Sequence, residues 1–535
     1  MRWLICLLPA VLAPLAAWGE DPKPHDYPRR ALVVQVHDYL YLNPLTAATP
    51  ARNRDALDRL AASLRILNGK TNHQFFVLSD NLSADERIPT RPAILAAVRQ
   101  FCQTSRSQDR IVLYFRGHAF ESRDQAYFAP VEGEAGDLKT LIPISAIYAE
   151  LKSCKAAQKV VVWDVCPRNP ESTTIRPTAG PMTLELLLAL ASPGGGMEVF
   201  VPCLPSQYSL EFATPRGDGG SVLLEAMRKG LDDAGRDKAD PAEPLPFAEA
   251  MPAIEKYLET AVKPFGARQN PKLLGKRNSP LAAIDSAEPP PAAVTFPKPG
   301  PVPAEAKAIL QELALPPLVL GVGADPLPTL PFTAAALAAY RADVSTDDIL
   351  RNGDKYPLRV AALRAIQTIR DAMHPVAVKD AKPVTQLSSP IRETQKKFVQ
   401  EAQAPLAVSV AKLELEMGAL ETLEPLRARE TKRWQANYDY ALAQIRLRVA
   451  LLNEYNLALA HVRTDSLPEL PTGFTAWRLT PTDKMLSKKN VKDLASAARS
   501  TLEALASEHK GTPWEMLAKR ALATPPGLRW EPVLR

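Results

Sequence analysis

Residues 110–120 read RIVLYFRGHAF, and residues 159–166 read KVVVWDVC. Each stretch carries a short apolar run, 111–115 and 159–163, rich in Val, Ile and Phe, as expected of strands buried on both faces. Both runs end alike. Three residues beyond the first stands His118, in Arg116-Gly117-His118; three beyond the second stands Cys166, in Asp164-Val165-Cys166. Outward from this pair, similar runs recur at 31–36 (ALVVQV), 75–78 (FFVL) and 198–202 (EVFVP). Amphipathic stretches near 52–67, 91–103, 144–154 and 182–191 separate the runs, and two more follow near 221–232 and 247–261. Alternating strand and helix predicts an α/β fold, a mainly parallel sheet with helices on both faces. In such a sheet the loops at the carboxyl ends of the strands carry the site. If the 111–115 and 159–163 strands are neighbours, His118 and Cys166 sit side by side on that rim.

The pairing has a chemical meaning. A thiolate is a strong nucleophile, and a nearby imidazole both promotes it and later protonates a leaving amine. The oxyanion formed on attack needs fixed backbone N–H donors, which tight loops after strands supply.

The rest of the chain is organised around this block. With 535 residues there is room for two to four domains of roughly 100–200 residues each. A net charge of +6 is small for that length and gives no reason to expect a nucleic-acid partner. Residues 1–19 read as a signal peptide: Arg2, an apolar run over 3–17, and Ala17-Trp18-Gly19 before a cut at Glu20. The apolar run is shorter than the roughly 20 residues of a membrane span, and no later segment is long and apolar enough to cross. An exported chain, periplasmic or extracellular, is therefore expected. The α/β block is placed at 20–285. The stretch 286–305 (SAEPPPAAVTFPKPGPVPAE) reads as a Pro-rich linker, and 306–535 as a mostly helical region. Within it, 426–463 lacks Gly and Pro and carries one apolar stripe through Trp434, Tyr438, Ala441, Ile445, Val449, Leu452 and Leu459. Pro405 and Pro425 are expected to interrupt the segment before it. Thr512-Pro513 fits an N-cap followed by Pro at the first helical position.

The segment from about 31 to 285 resembles the caspase superfamily, above all its metacaspase and bacterial caspase-like branch. ALVVQVHDY is similar to that family's first strand and turn, and Asn53-Arg54-Asp55-Ala56-Leu57 to its Asn-x-Asp-Ala motif. RIVLYFRGHAF resembles the strand ending in Ser-Gly-His-Gly, and KVVVWDVC the strand ending in Asp-x-Cys. VPCLPSQYSLE is similar to its later Cys…Gln…Glu pattern, and GDGGSVLLEAMRKGL to the helix that follows. The resemblance implies a caspase-like α/β/α sandwich and a cysteine-type endopeptidase acting on polypeptide substrates. It implies Cys166 as nucleophile, His118 as general acid/base, and the N–H groups of Cys166 and Ala119 as the oxyanion hole. It also implies Asp164 and Asp55 as the acids of the pocket for the residue before the cut (P1), which would favour Arg or Lys there by charge pairing.

Two loops depart from the pattern. Ala119 replaces the Gly after the His, and Pro167-Arg168-Asn169 replaces His-Ser-Gly after the Cys; Pro167 has no N–H and stiffens its loop. A second reading is thus kept open: a catalytically inactive relative serving as a protein-binding module, with the helical region as interaction surface or as a regulator of the peptidase block. The site residues also have plainer readings. Of the five cysteines, Cys102, Cys154, Cys166 and Cys203 remain after cleavage, an even count that invites pairing in an oxidising compartment. Cys166 could bridge to Cys203. Cys102 and Cys154 belong at the opposite rim, as a bridge or as buried thiols. Asp55 would also favour a helix start electrostatically, and His37, in the turn after the first strand, could border the cleft but reads as an ordinary surface or core residue. The other histidines show no metal spacing, so no metal or other cofactor is expected, and calcium dependence is left open. Arg168 and Arg176 lie where relatives are cut between subunits, but Pro177 makes the bond after Arg176 a poor site.

Overall fold

The computed structural model describes residues 28–533 apart from 46–48, 67–73, 83–87, 123–124, 169–175, 195, 213–219, 236–242, 278–279, 286, 289–293, 295–301, 317, 319–331 and 374–383. The expected signal peptide and most of the expected linker therefore lie outside the described residues.

Six strands form one sheet: β1 (Arg29–Gln35), β2 (Phe75–Ser79), β3 (Arg110–Gly117), β4 (Gln158–Val165), β5 (Met197–Val201) and β6 (Lys272–Gly275). Their spatial order is β6-β5-β4-β3-β1-β2. All neighbours are parallel except β6, which runs antiparallel to β5. The helices between strands are α1 (Pro50–Ser63), α2 (Arg91–Gln103), α3 (Ile144–Ser153), α4 (Leu184–Ala191), α5 (Val222–Gly235) and α6 (Phe247–Val262). Strand alternation sorts the core into two layers. Val112, Tyr114, Val160 and Val162 pack with Leu57, Leu223, Met227 and Ile254 of α1, α5 and α6. Leu113, Phe115, Val161 and Trp163 pack with Val98, Phe101, Ile147 and Leu190 of α2, α3 and α4. This is the α/β/α sandwich expected from the sequence.

β3 and β4 are longer than their apolar runs. Arg116-Gly117 and Asp164-Val165 continue the ladder, with Arg116 opposite Asp164 and Gly117 opposite Val165. Polar residues at a strand's end stay in register when their side chains find partners, and Arg116 and Asp164 do. Periodicity also missed the short strands around the rim. Ala119–Ser122 pairs with Gln125–Phe128, which in turn pairs with Ile142–Pro143; Ser209–Phe212 pairs with Pro167–Arg168 and Gly220–Ser221.

The C-terminal half is mostly helical: α7 (Ala304–Glu312), α8 (Pro357–Met373), α9 (Glu393–Thr422), α10 (Lys432–Arg463), α11 (Lys489–Glu508) and α12 (Pro513–Leu522), with a small antiparallel sheet of Gln386–Ser388, Ala476–Thr482 and Gly527–Val533. The expected helix over 426–463 begins at Lys432; a separate turn, Glu424–Arg427, precedes it. Every residue of its expected stripe is buried, but so are Tyr440, Ala443, Leu447, Leu451 and Tyr455 on its other sides. It is the central helix of the bundle rather than one with a single buried face. Pro405 does not end a helix: α9 runs through it, so only the bond its missing N–H would have made is lost. At the start of α12 the Thr512 hydroxyl donates to the carbonyl of His509 at 2.5 Å instead of capping the helix.

The halves share one buried apolar cluster, running from Leu32 and Phe115 through Leu40 and Leu42 to Trp514, Leu517 and Ala521. α12 lies against the loop after β1, where Lys519 sits 5.6 Å over the ring of Tyr41, and against the segment after Phe128, where the same Lys519 pairs with Glu134 at 2.7 Å. No helix among the described residues is long and apolar enough to cross a membrane.

Candidate active site

In a parallel sheet the crevice opens where the chain switches direction, at the carboxyl rim. Here the switch falls between β1 and β3, because the chain goes from β1 out to β2 and returns to β3 on the other side of β1. His118 follows β3 directly and Cys166 follows β4 directly. Because Gly117 and Val165 are ladder partners, the two reactive residues leave the sheet side by side. Behind them Phe115 stacks on Trp163 at 4.6 Å, and Trp163 Nε1 donates to the hydroxyl of Tyr148 at 2.8 Å. That packing fixes the two strand ends relative to each other.

The His118 ring is held at both nitrogens. Nε2 lies 2.8 Å from the carbonyl oxygen of Asn43 and must be the N–H that donates to it. Nδ1 is then the lone-pair nitrogen, and it accepts a long bond from the N–H of Ala179 at 3.5 Å. The backbone N–H of His118 donates to the hydroxyl of Tyr39 at 2.8 Å, and the Tyr39 ring lies 4.7 Å from the imidazole. Gly117 is required here because a Cβ at that position would stand 2.5 Å from the Tyr39 hydroxyl.

Cys166 has a φ of 59°, a left-handed backbone that costs a non-glycine residue about 1–3 kcal/mol and turns up at functional sites. Ala119 takes no such angle. It sits in an ordinary strand opposite Phe128, so the exceptional conformation lies at Cys166 and not after His118.

His118 and Cys166 are each 1% exposed. Burial lowers the His118 pKa to about 4, against the favourable pull of the Asn43 carbonyl. Burial, with Glu121 and Asp164 nearby, pushes the Cys166 thiol up to about 12. As described, the site holds a neutral imidazole and a neutral thiol. A strap over 176–182 closes it. Arg176 N–H donates to Asn43 Oδ1 at 2.9 Å, and Asn43 N–H to Pro177 O at 3.1 Å. Ala179 caps His118, and Met182 exchanges two 2.7 Å backbone bonds with the 206–207 turn. The strap thus spans the rim from the loop after β1 to the loop after β5.

Asp164 is buried and committed. One carboxylate oxygen accepts the Tyr114 hydroxyl at 2.6 Å and the other the Ser209 hydroxyl at 2.5 Å. Asp55 is not its companion. Its side chain is 62% exposed on α1 and pairs with Arg59 at 2.7 Å; the buried residue of that motif is Asn53, which donates to Asn81 O at 2.9 Å. The second acid near Asp164 is Glu211, which forms a buried ion pair with Arg116. Burial opposes the Arg116 charge, but Glu211, Tyr114 and Asp164 outweigh it and hold the guanidinium above the ordinary arginine range.

All four described cysteines are free and buried. Cys203 lies near Cys166, and burial together with that neighbour raises its pKa. Cys102 and Cys154 lie together, and the bond between them lowers the Cys154 pKa and raises that of Cys102. His37 is buried against Asp80, 3.4 Å from Nδ1 to the carboxylate. Sequence reasoning assigned no role to Tyr39, which meets His118 through its hydroxyl and ring, or to Asn43 and Ala179, which meet it through backbone groups. Glu211 was visible only as the last residue of the VPCLPSQYSLE pattern.

No known sequence family matches this chain, and no curated protein does. Among solved structures, the Drosophila initiator caspase Dronc is similar at a TM-score of 0.29 and 11% identity, over 47% of this chain and 81% of that one. The account of the site rests on the chain's own register and contacts.

Proposed function

We propose that this chain is a cysteine-type endopeptidase working through His118 and Cys166, exported by its N-terminal segment and cutting after Arg or Lys. One observation carries the reading: the β3–β4 register that sends His118 and Cys166 off adjacent strand ends together. The left-handed backbone at Cys166 supports it. With Nε2–H on the Asn43 carbonyl, Nδ1 is the nitrogen that takes the thiol proton once the strap carries the Ala179 N–H away from it. The thiolate then adds to the scissile carbonyl carbon. The resulting oxyanion is held by N–H groups at Cys166 and Ala119. Nδ1–H returns its proton to the leaving amine as the C–N bond breaks. Water, deprotonated by Nδ1, then cleaves the thioester and restores the thiol. Substrate entry requires the 176–182 strap to move off the rim. Two acids, Asp164 and Glu211, against one Arg116 leave a negative balance that supports a basic P1 side chain.

The second reading, an inactive protein-binding module, is favoured by the closed state itself: both dyad members are sealed and their pKa values pushed apart. The test is turnover of short fluorogenic peptides with Arg, Lys or Asp at P1 beside a Cys166→Ala control. Cleavage after Arg or Lys that disappears in the control supports the peptidase. No cleavage by a folded protein with a free Cys166 thiol favours the binding module, with the helical half as the surface to examine.

A further inference from the structure

Two of the residues just described do something that the peptidase chemistry does not call for. Arg116 and Asp164 are ladder partners in β3 and β4, two residues before His118 and Cys166. Each shares its strand face with the tyrosine or valine two residues earlier, so both project into the layer of Tyr114 and Val162. From the other side, Ser209–Phe212 brings Ser209 to Asp164 and Glu211 to Arg116. Gln269 closes the group, its amide 3.4 Å from the Ser209 hydroxyl. Arg116, Asp164, Ser209, Glu211 and Gln269 are all buried. A guanidinium ion-paired with a buried carboxylate, Glu211, two residues before His118 in the chain, is what a bound basic substrate side chain would present. Here the chain supplies it itself.

We infer that Arg116 is a built-in occupant of the pocket for a basic P1 side chain, so that it sets specificity by competing with substrate for Glu211. The inference rests on the peptidase reading for its link to cleavage, but not for the occupancy itself. A planar guanidinium fork satisfies a carboxylate better than any other side chain, so its removal leaves a site shaped for another guanidinium.

The test uses the full chain as wild type, Arg116→Ala and Arg116→Ala/Glu211→Gln, with methylguanidinium as probe and thermal unfolding as readout. The midpoint of Arg116→Ala should rise with methylguanidinium beyond any rise of the other two proteins. Should Arg116→Ala fail to fold, Arg116→Ser takes its place, since its short side chain tolerates a polar surrounding and still leaves the guanidinium's space at Glu211 open. In turnover, the ratio of Arg-P1 to Ala-P1 cleavage should rise about tenfold in the variant, the order of one charge-assisted hydrogen bond. A vacated variant that responds to methylguanidinium no more than wild type overturns the inference. A specific response with no turnover of any peptide upholds the occupancy and defeats the peptidase reading instead.

Discussion

The Nε2–H of His118 donates to the carbonyl oxygen of Asn43 at 2.8 Å, so the loop after β1 sets both the tautomer and the orientation of the imidazole on β3. The same ring is buried and its pKa falls to about 4 from an ordinary 6.5. The sign follows from linkage. Between those values the unfolded chain binds a proton that the folded chain does not. The neutral ring therefore costs no stability above pH 6.5, and stability drains away as pH falls toward 4. The loss amounts to about 3 kcal/mol. Denaturant unfolding of wild type and His118→Gln from pH 7 to pH 4 should show a steeper decline for wild type. Parallel curves would mean the ring is not held neutral.

Asn43 also anchors the strap, through its Oδ1 on the N–H of Arg176. Removing one hydrogen bond of about 1 kcal/mol should make strap opening roughly fivefold more frequent. Asn43→Ala, which keeps the carbonyl on His118, should therefore raise the rate of Cys166 alkylation by iodoacetamide about fivefold. The modified cysteine is identified by peptide mass. An unchanged rate would show that the strap does not limit access.

Gly117 has no room for a Cβ beside the Tyr39 hydroxyl and the Phe128 ring. Gly117→Ala should displace Tyr39, release the His118 N–H and lower peptide turnover at least about tenfold, the order of one hydrogen bond to a neutral group. Tyr39→Phe, which removes only the hydroxyl, should show a smaller loss.

Much of this was legible in the sequence and some was not, for identifiable reasons. The apolar runs gave the five parallel strands because residues buried on both faces leave an uninterrupted hydrophobic signal. They under-read β3 and β4 because Arg116 and Asp164 are kept in the ladder by partners distant in sequence, Glu211, Tyr114 and Ser209. The stretch 426–463 gave a helix but not its central position, since burial on several sides blurs a one-stripe pattern. Asp55 misled because helix-start residues with a family-like spacing look the same whether they face a pocket or, as here, Arg59 and solvent. Asn43 meets the His118 ring through its backbone carbonyl, a contact that leaves no signature in the residue type.

The contact between the halves can be measured at Lys519 and Glu134, paired at 2.7 Å where α12 meets the sandwich. Both are partly exposed, so a double-mutant cycle with Lys519→Ala and Glu134→Ala should give a coupling of about 0.5–1 kcal/mol, reduced by salt. A coupling of zero at low salt would mean that this pair does not brace the segment after Phe128 against the helical half.

The most direct test of the dyad is covalent trapping: the full chain is treated with peptidyl acyloxymethyl ketones bearing Arg or Lys at P1, and the adduct is located by peptide mapping. The account expects a single adduct on Cys166, formed far more slowly in His118→Ala. An unmodified Cys166 in folded protein, or labelling that proceeds equally without His118, would contradict it.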